Sequence, residues 1–155
     1  MATIITDLKE SFRRGTIYIQ LIYINVGVFI LTTLTEVILQ LFNRSLGGTF
    51  EWLELPASLP RFITQPWSIL TYMFMHAGVM HILFNMLWLY WFGALFLSFF
   101  SAKHLRGVYI LGGICGGLLY MAAYNIFPYF RPMTEYSFML GASASVLAVV
   151  AATAY

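Results

Sequence analysis

Long apolar runs separated by short polar stretches set the pattern of the chain. These runs cover residues 17–42, 81–100, 107–127 and 140–155. A helix that crosses a bilayer needs about 20 mostly apolar residues, so the first three runs are long enough and the fourth is marginal. The pattern predicts an all-α, polytopic membrane helical bundle with four spans, formed by residues 1–155 as a single membrane domain.

Prolines and charged residues mark the connections between these runs. The first connection is the longest, from Asn43 to about Thr71, and it contains three prolines. The second is the short sequence SAKHLR at residues 101–106, and the third is PYFRPMTEYS at residues 128–137. Such residues end helices or lie in turns, so each stretch predicts a break in the bundle.

The positions of the basic residues predict the orientation. Five of them lie before the first run or in the second connection: Lys9, Arg13, Arg14, Lys103 and Arg106. Because short cytoplasmic segments carry an excess of Lys and Arg, we expect the N-terminus and the second connection in the cytoplasm. The first and third connections then face outward, where Trp52 and Trp67 suit an interfacial position.

The composition agrees with a protein that lies in a membrane. Hydrophobic residues make up 61% of the 155 residues and charged residues only 9%, whereas soluble domains carry about 25% charged residues. The net charge of +2 comes without a basic stripe, so nucleic acid is not an expected partner. Cys115 is the only cysteine, which excludes an internal disulfide and disfavours a cysteine-based metal site.

Polar side chains gather at the predicted outer ends of the second and fourth helices. His81 and Asn85 are four residues apart and share a helix face, while Ser143 belongs to the sequence GASAS at the start of the fourth helix. Taken singly, each is typical of helix packing in membranes. Together they are the parts of an acyl-transfer site, in which a serine needs a base and its oxyanion needs hydrogen-bond donors. On chemistry alone, His81 is either the base or a donor.

These residues also carry a resemblance to a known family. His76, His81 and Asn85 form the pattern H-x-x-x-x-H-x-x-x-N before a hydrophobic helix, and Gly141-Ala142-Ser143 opens a later helix. In combination, the two motifs closely resemble those of the rhomboid intramembrane serine proteases. The resemblance implies a bundle of at least six spans that cleaves transmembrane protein substrates in a water-filled outer cavity, without metal or cofactor.

The family's functional residues map onto four positions of this chain. The resemblance implies that Ser143 is the nucleophile, that His81 and Asn85 stabilise the oxyanion, and that His76 has a supporting role. The family's base is a histidine on the sixth helix. The family usually has glycine directly after the serine and an aromatic residue four positions after it, where this chain has Ala144 and Leu147.

The base is the part of the family's site that these residues do not supply. The remaining histidine, His104, lies in the predicted cytoplasmic turn, a bilayer thickness of about 30 Å from Ser143. We therefore expect residues 1–155 to be the N-terminal part of a longer multi-pass protein of a bacterial inner membrane, incomplete at the C-terminus and inactive alone. The alternative is a non-catalytic relative that binds transmembrane segments. Membrane lipids are the other expected partners, and the oligomeric state is not predicted.

Two further features have interpretations in packing. The pairs Gly112/Gly116 and Gly113/Gly117 have the small-xxx-small spacing of a close contact between membrane helices. Glu36 lies near the outer end of the first run, where a carboxyl can be protonated, hydrogen-bonded or partly hydrated, so a structural role is favoured.

Two other candidate sites are disfavoured. A metal site at His76 and His81 is not expected, because five residues on a continuous helix turn the two rings about 140° apart and no acidic or cysteine ligand accompanies them. Arg61 and the aromatic first connection are expected to contact lipid or to gate substrate entry, and no catalytic residue is assigned there.

Overall fold

The computed structural model describes residues 2–42, 48 and 50–154. Seven α-helices lie in this part of the chain: α1 Ala2–Arg14, α2 Ile17–Leu41, α3 Leu59–Thr64, α4 Ser68–Thr71, α5 Val79–Phe99, α6 Ala102–Ile126 and α7 Ser143–Thr153. Single 3₁₀ turns cover Glu51–Leu53 and Tyr72–Phe74, and a longer one covers Arg131–Tyr136. Two short strands, β1 Leu55–Pro56 and β2 Phe138–Met139, complete the described elements.

Three of these helices, α2, α5 and α6, are long and apolar enough to cross a membrane. They correspond to the first three predicted spans, and the helical membrane architecture is confirmed at that level. Helix α7 is also apolar but has only 11 residues in the structure, so a fourth complete span stays a prediction. Residues 43–47 and 49 of the predicted first connection, and Tyr155 at the end of the fourth run, lie outside the described residues.

The second connection is shorter than the sequence predicted. Helix α6 begins at Ala102, so most of the sequence SAKHLR is helical and only the residues around Ser101 form the break. Ser101 has an extended backbone, and its hydroxyl lies 2.9 Å from the Nδ1 atom of His104 one turn later. The polar residues were interpreted as a turn because they interrupt the apolar run, but they occupy the exposed first turns of α6.

Glycines on α6 bring α7 into close contact. A methyl group added at Gly112 or Gly116 would collide with the side chain of Ala148 or Ala144, respectively. The close helix contact predicted from the glycine spacing is therefore confirmed. On the next face of α6, Gly113 is adjacent to Ser145 and to Met73 of the 3₁₀ turn Tyr72–Phe74.

The buried core lies between α2, α5, α6 and α7. Fully buried side chains from these helices include Leu89, Leu105, Tyr109 and Val149. Asn25 of α2 is also fully buried, and its amide donates to the hydroxyl of Tyr109 on α6 at 3.2 Å. Burial of apolar side chains and this one polar contact fix α2 against the rest of the bundle.

A small β-ladder joins the first and third connections, which a purely all-α prediction did not include. Strand β1 pairs antiparallel with β2, with Leu55 opposite Met139 and Pro56 opposite Phe138. The Ser58 hydroxyl donates to the Glu135 carboxylate at 3.0 Å and adds a side-chain contact between the same segments. Because β2 ends only a few residues before α7, this ladder fixes the entry of the chain into α7.

Candidate active site

One pocket of about 400 Å³ contains three of the four residues singled out in the sequence. Helices α5 and α7 supply its walls: Met80, His81, Phe84, Asn85 and Trp88 from α5, and Ser143, Val146 and Leu147 from α7. We call this space the serine pocket. The structure thus brings His81, Asn85 and Ser143 together, and most of the remaining wall is apolar.

Ser143 is the first residue of α7 and is half-buried. The first N–H groups of a helix have no partner within the helix, so backbone donors are available close to this hydroxyl. Ser145 lies two residues further and is fully buried. Its hydroxyl is adjacent to Gly113 of α6, away from the residues that line the serine pocket. Of these two serines, only Ser143 lines the pocket.

Gly141 explains how His81 comes close to the start of α7. Its φ angle of +121° lies in a region that favours glycine. A Cβ atom placed on Gly141 would lie 2.7 Å from the Nε2 atom of His81, a separation too short for any side chain. The imidazole therefore packs directly against the backbone that leads into Ser143.

Asn85 lies one turn inside α5 and is buried. Its amide nitrogen donates to the carbonyl oxygen of His81 at 3.0 Å, and this bond fixes the orientation of the side chain. A carboxamide has two N–H groups, so this bond uses one and leaves a second donor on the same nitrogen.

His76 lies before helix α5, in contact with His81. Helix α5 begins at Val79, so His76 precedes the helix, and its ring centroid lies 5.1 Å from that of His81 in an edge-to-face arrangement. The angle of about 140° between the two rings would hold on a continuous helix, but it does not apply here because Ala77 and Gly78 lie outside the helix. Over the described residues, no group of three or more His, Cys, Asp or Glu is arranged to hold a metal ion.

The environment of His76 keeps its ring neutral. Burial, and next the nearby His81, lower the pKa of His76 to about 4, although a contact with the carbonyl oxygen of Phe74 acts in the opposite direction. That contact is made by Nδ1 at 3.3 Å. His76 does not line the serine pocket, but its ring contacts that of His81.

A second space of about 300 Å³ is lined by His76 and not by Ser143. We call it the carboxylate pocket, because Glu36 of α2 and Glu54 of the first connection line it together with His76. Burial, followed by the charges of Glu51 and Glu36, raises the pKa of the Glu54 carboxyl. The pocket also reaches Leu140, the residue before Gly141.

His104 lies far along the chain from these groups, at the start of α6, beside Ser101. Among the residues that line the serine pocket, His81 is the only titratable one. Within the part of the chain that the structure describes, the pocket therefore offers one imidazole to serve either as base or as donor.

A comparison with protein-family models places this site in a known family. The Rhomboid domain model matches residues 64–155, a stretch that includes α4 to α7 and all four candidate residues. The chain belongs to the rhomboid family. No curated protein matches the chain.

Two contacts around the candidate site were not predicted from the sequence. The contact between Gly141 and His81 was missed, although a glycine directly before Ala142-Ser143 was visible as a signal for a special backbone conformation. The link from Tyr72 to this glycine, a hydrogen bond from the Gly141 N–H to the Tyr72 carbonyl at 2.9 Å, had no signal in the sequence. Both contacts join segments distant in the chain.

Proposed function

We propose that this rhomboid-family protein is an intramembrane serine endopeptidase in which Ser143 is the nucleophile. The observation that carries the proposal is the serine pocket, which His81, Asn85 and Ser143 line together. A hydroxyl, an imidazole and a carboxamide at one cavity are the groups that acyl transfer to serine requires.

The proposed reaction begins when the Ser143 hydroxyl oxygen attacks the carbonyl carbon of a substrate peptide bond while a base takes the hydroxyl proton. The oxyanion that forms accepts hydrogen bonds from Asn85, from His81 and from backbone N–H groups at the start of α7. Collapse of the intermediate breaks the C–N bond, and the base returns the proton to the leaving amine. Water then hydrolyses the acyl ester and restores Ser143.

We assign His81 to the oxyanion and the base to a histidine outside residues 1–155. This division of roles is what the resemblance to the rhomboid proteases implies, and the serine pocket has no second titratable lining residue among those described. Positioned bases contribute about 10²- to 10⁴-fold in rate. The 155-residue chain alone is therefore expected to be inactive.

The proposed substrates are transmembrane segments of other proteins. Phe84, Trp88 and Leu147 line the serine pocket and remain exposed in the structure. These apolar side chains suit a peptide that arrives from the lipid rather than from water. We place the site at the extracytoplasmic end of the bundle, in agreement with the orientation predicted from the basic residues.

The test is cleavage of a transmembrane peptide by the intact gene product in proteoliposomes. Ser143→Ala should abolish cleavage with the bundle still folded, while the matched variant Ser145→Ala should retain it, because Ser145 faces α6. Cleavage that survives in Ser143→Ala, or that disappears only in Ser145→Ala, would contradict the proposal.

The alternative is a non-catalytic rhomboid relative that binds transmembrane segments. It is favoured because, within the part of the chain that the structure describes, His81 is the only titratable residue that lines the serine pocket. In that case the intact protein binds the peptide without cleaving it, and Ser143→Ala changes neither the binding of the peptide nor the absence of cleavage.

A further inference from the structure

Gly141 couples the position of the His81 imidazole to the backbone before Ser143. The space between them does not admit a Cβ atom, since such an atom would lie 2.7 Å from Nε2 and 2.8 Å from Cε1 of the ring. Any displacement of the Gly141 backbone therefore moves the surface on which the imidazole rests, and it moves Ser143 two residues further along the chain.

Tyr72 holds Gly141 through its own backbone. The Tyr72 carbonyl oxygen accepts the Gly141 N–H at 2.9 Å and the Met75 N–H at 3.2 Å. A carbonyl oxygen has two lone pairs, so both bonds can form together. The 3₁₀ turn Tyr72–Phe74 is thus joined directly to the segment that precedes α7.

The Tyr72 side chain attaches this turn to α6. Tyr72 is fully buried, and its hydroxyl donates to the carbonyl oxygen of Gly113 at 2.6 Å. A Cβ atom on Gly117 would lie 3.4 Å from Cε1 of the Tyr72 ring, an ordinary van der Waals distance, so the ring lies next to the glycine face of α6. Burial raises the pKa of the Tyr72 phenol to about 12, so the hydroxyl keeps its proton and remains a donor.

We propose that Tyr72 is a positioning residue of the serine pocket. Its hydroxyl fixes the turn Tyr72–Phe74 to α6, and this turn holds Gly141, which lies against His81 and two residues before Ser143. The expected effect of Tyr72 on the cleavage rate rests on the proposed function. The structural part of the proposal, that Tyr72 fixes the position of the His81 ring, does not depend on that function. The variant Tyr72→Phe keeps the buried ring and removes the hydrogen bonds of the hydroxyl to the α6 backbone, at Gly113 and Gly117.

The structural part is tested with histidine resonances. The chain has three histidines, so selective ¹⁵N labelling of the 155-residue chain in detergent micelles gives a simple spectrum, in which His81→Gln assigns His81. In Tyr72→Phe the His81 ring resonances should shift while those of His104, in the first turn of α6, stay unchanged. The matched control is Tyr109→Phe, which changes another fully buried tyrosine that is hydrogen-bonded, in this case to Asn25.

The effect on rate is tested in the intact gene product. Because misplaced catalytic groups cost up to about 10²-fold, Tyr72→Phe should lower kcat by about 10- to 100-fold with KM unchanged. Tyr109→Phe should lower the unfolding temperature without lowering kcat. If Tyr72→Phe does not fold, Gly141→Ala tests the same link from its other end and should also shift the His81 resonances.

The outcomes separate this proposal from the proposed function. Unchanged His81 resonances in Tyr72→Phe, or equal shifts in Tyr72→Phe and Tyr109→Phe, would overturn the positioning role. A wild-type kcat in Tyr72→Phe, measured where Ser143→Ala is inactive, would also overturn the positioning role. A wild-type protein that cleaves nothing contradicts only the proposed function, and the resonance measurement then decides the role of Tyr72.

Discussion

Asn85 illustrates how a buried amide can serve both packing and chemistry. Its bond to the His81 carbonyl holds the carboxamide on the face of α5 that lines the serine pocket. Asn25 of α2 makes the same kind of bond, to the carbonyl oxygen of Leu21 one turn earlier, but it lies in the core. The two asparagines differ mainly in whether a substrate can reach them.

We therefore predict different consequences for the two alanine variants. Asn85→Ala should lower the cleavage rate by about 10²- to 10³-fold, as expected for loss of one oxyanion donor, with little change in thermal stability. Asn25→Ala should lower the unfolding temperature, since it removes the bond to Tyr109, and should leave the rate per folded molecule unchanged. Steady-state kinetics and thermal unfolding in detergent measure both. Unchanged turnover in Asn85→Ala would remove this residue from the site.

The lowered pKa of His76 predicts how the stability of the fold depends on pH. Its pKa is about 4 in the folded protein and 6.5 in the unperturbed state, so the unfolded chain binds more protons between these pH values. The contribution of His76 to stability is therefore complete above pH 6.5 and is lost as the pH falls toward about 4. Glu54, whose pKa is raised, contributes in the opposite direction.

The difference between wild type and His76→Gln isolates this contribution. Thermal unfolding measured at several pH values should show a smaller loss of stability on acidification in His76→Gln than in wild type. His104→Gln is the control, and it should retain the wild-type dependence. Parallel curves for wild type and His76→Gln would mean that His76 is not held neutral by the fold.

At the level of single residues, the sequence predicted the convergence of His81, Asn85 and Ser143 but not the contact between the rings of His76 and His81. The four-residue spacing in α5 and the start of α7 at a small-residue sequence are local properties, so they can be read directly. Whether His76 belongs to the helix depends on where α5 begins. His76 precedes the second apolar run, and its contact with His81 depends on the bend at Ala77 and Gly78, which leaves no apolar pattern.

Helices α6 and α7 show how glycine spacing sets the distance between two elements. Gly112 lies directly against Ala148, whereas Gly107 on the same helix has no atom near the position of a Cβ. Both are interior positions of α6, so they have a similar intrinsic cost for glycine in a helix.

We predict that Gly112→Ala destabilises the bundle and that Gly107→Ala does not. The first variant forces a methyl group into a packed contact, and overpacking costs typically about 1–3 kcal/mol. The second should be neutral or stabilising by up to about 1 kcal/mol, because alanine favours helix over glycine. Unfolding by heat or denaturing detergent measures the difference. Equal stability of the two variants would contradict the packing of α7 on α6.

At the level of elements, the three long helices could be predicted and several boundaries could not. Apolar length identifies α2, α5 and α6 because a membrane requires it. The start of α6 was misplaced because charged residues can occupy an exposed helical turn as readily as a loop. The pairing of β1 with β2 joins residues 55–56 to residues 138–139, and such distant pairing leaves no local pattern.

The whole molecule is an integral membrane protein whose orientation is still a prediction from its basic residues. Lys103 and Tyr136 are both exposed, in the second and third predicted connections. Single cysteines at these positions, in a Cys115→Ser background, report the side of the membrane on which each lies. In intact cells, an impermeant maleimide should label Tyr136→Cys, and it should label Lys103→Cys only after permeabilisation. The reverse pattern would place the serine pocket at the cytoplasmic end.

The central claim is that Ser143 is the nucleophile of a serine protease site, and covalent labelling tests it most directly. The intact gene product in proteoliposomes is treated with a serine-directed fluorophosphonate, and the modified residue is identified by mass spectrometry. The account predicts a label on Ser143 that is absent in Ser143→Ala and is retained in Ser145→Ala. A label on Ser145 with Ser143 unmodified, or cleavage activity from a protein in which Ser143 cannot be labelled, would contradict it.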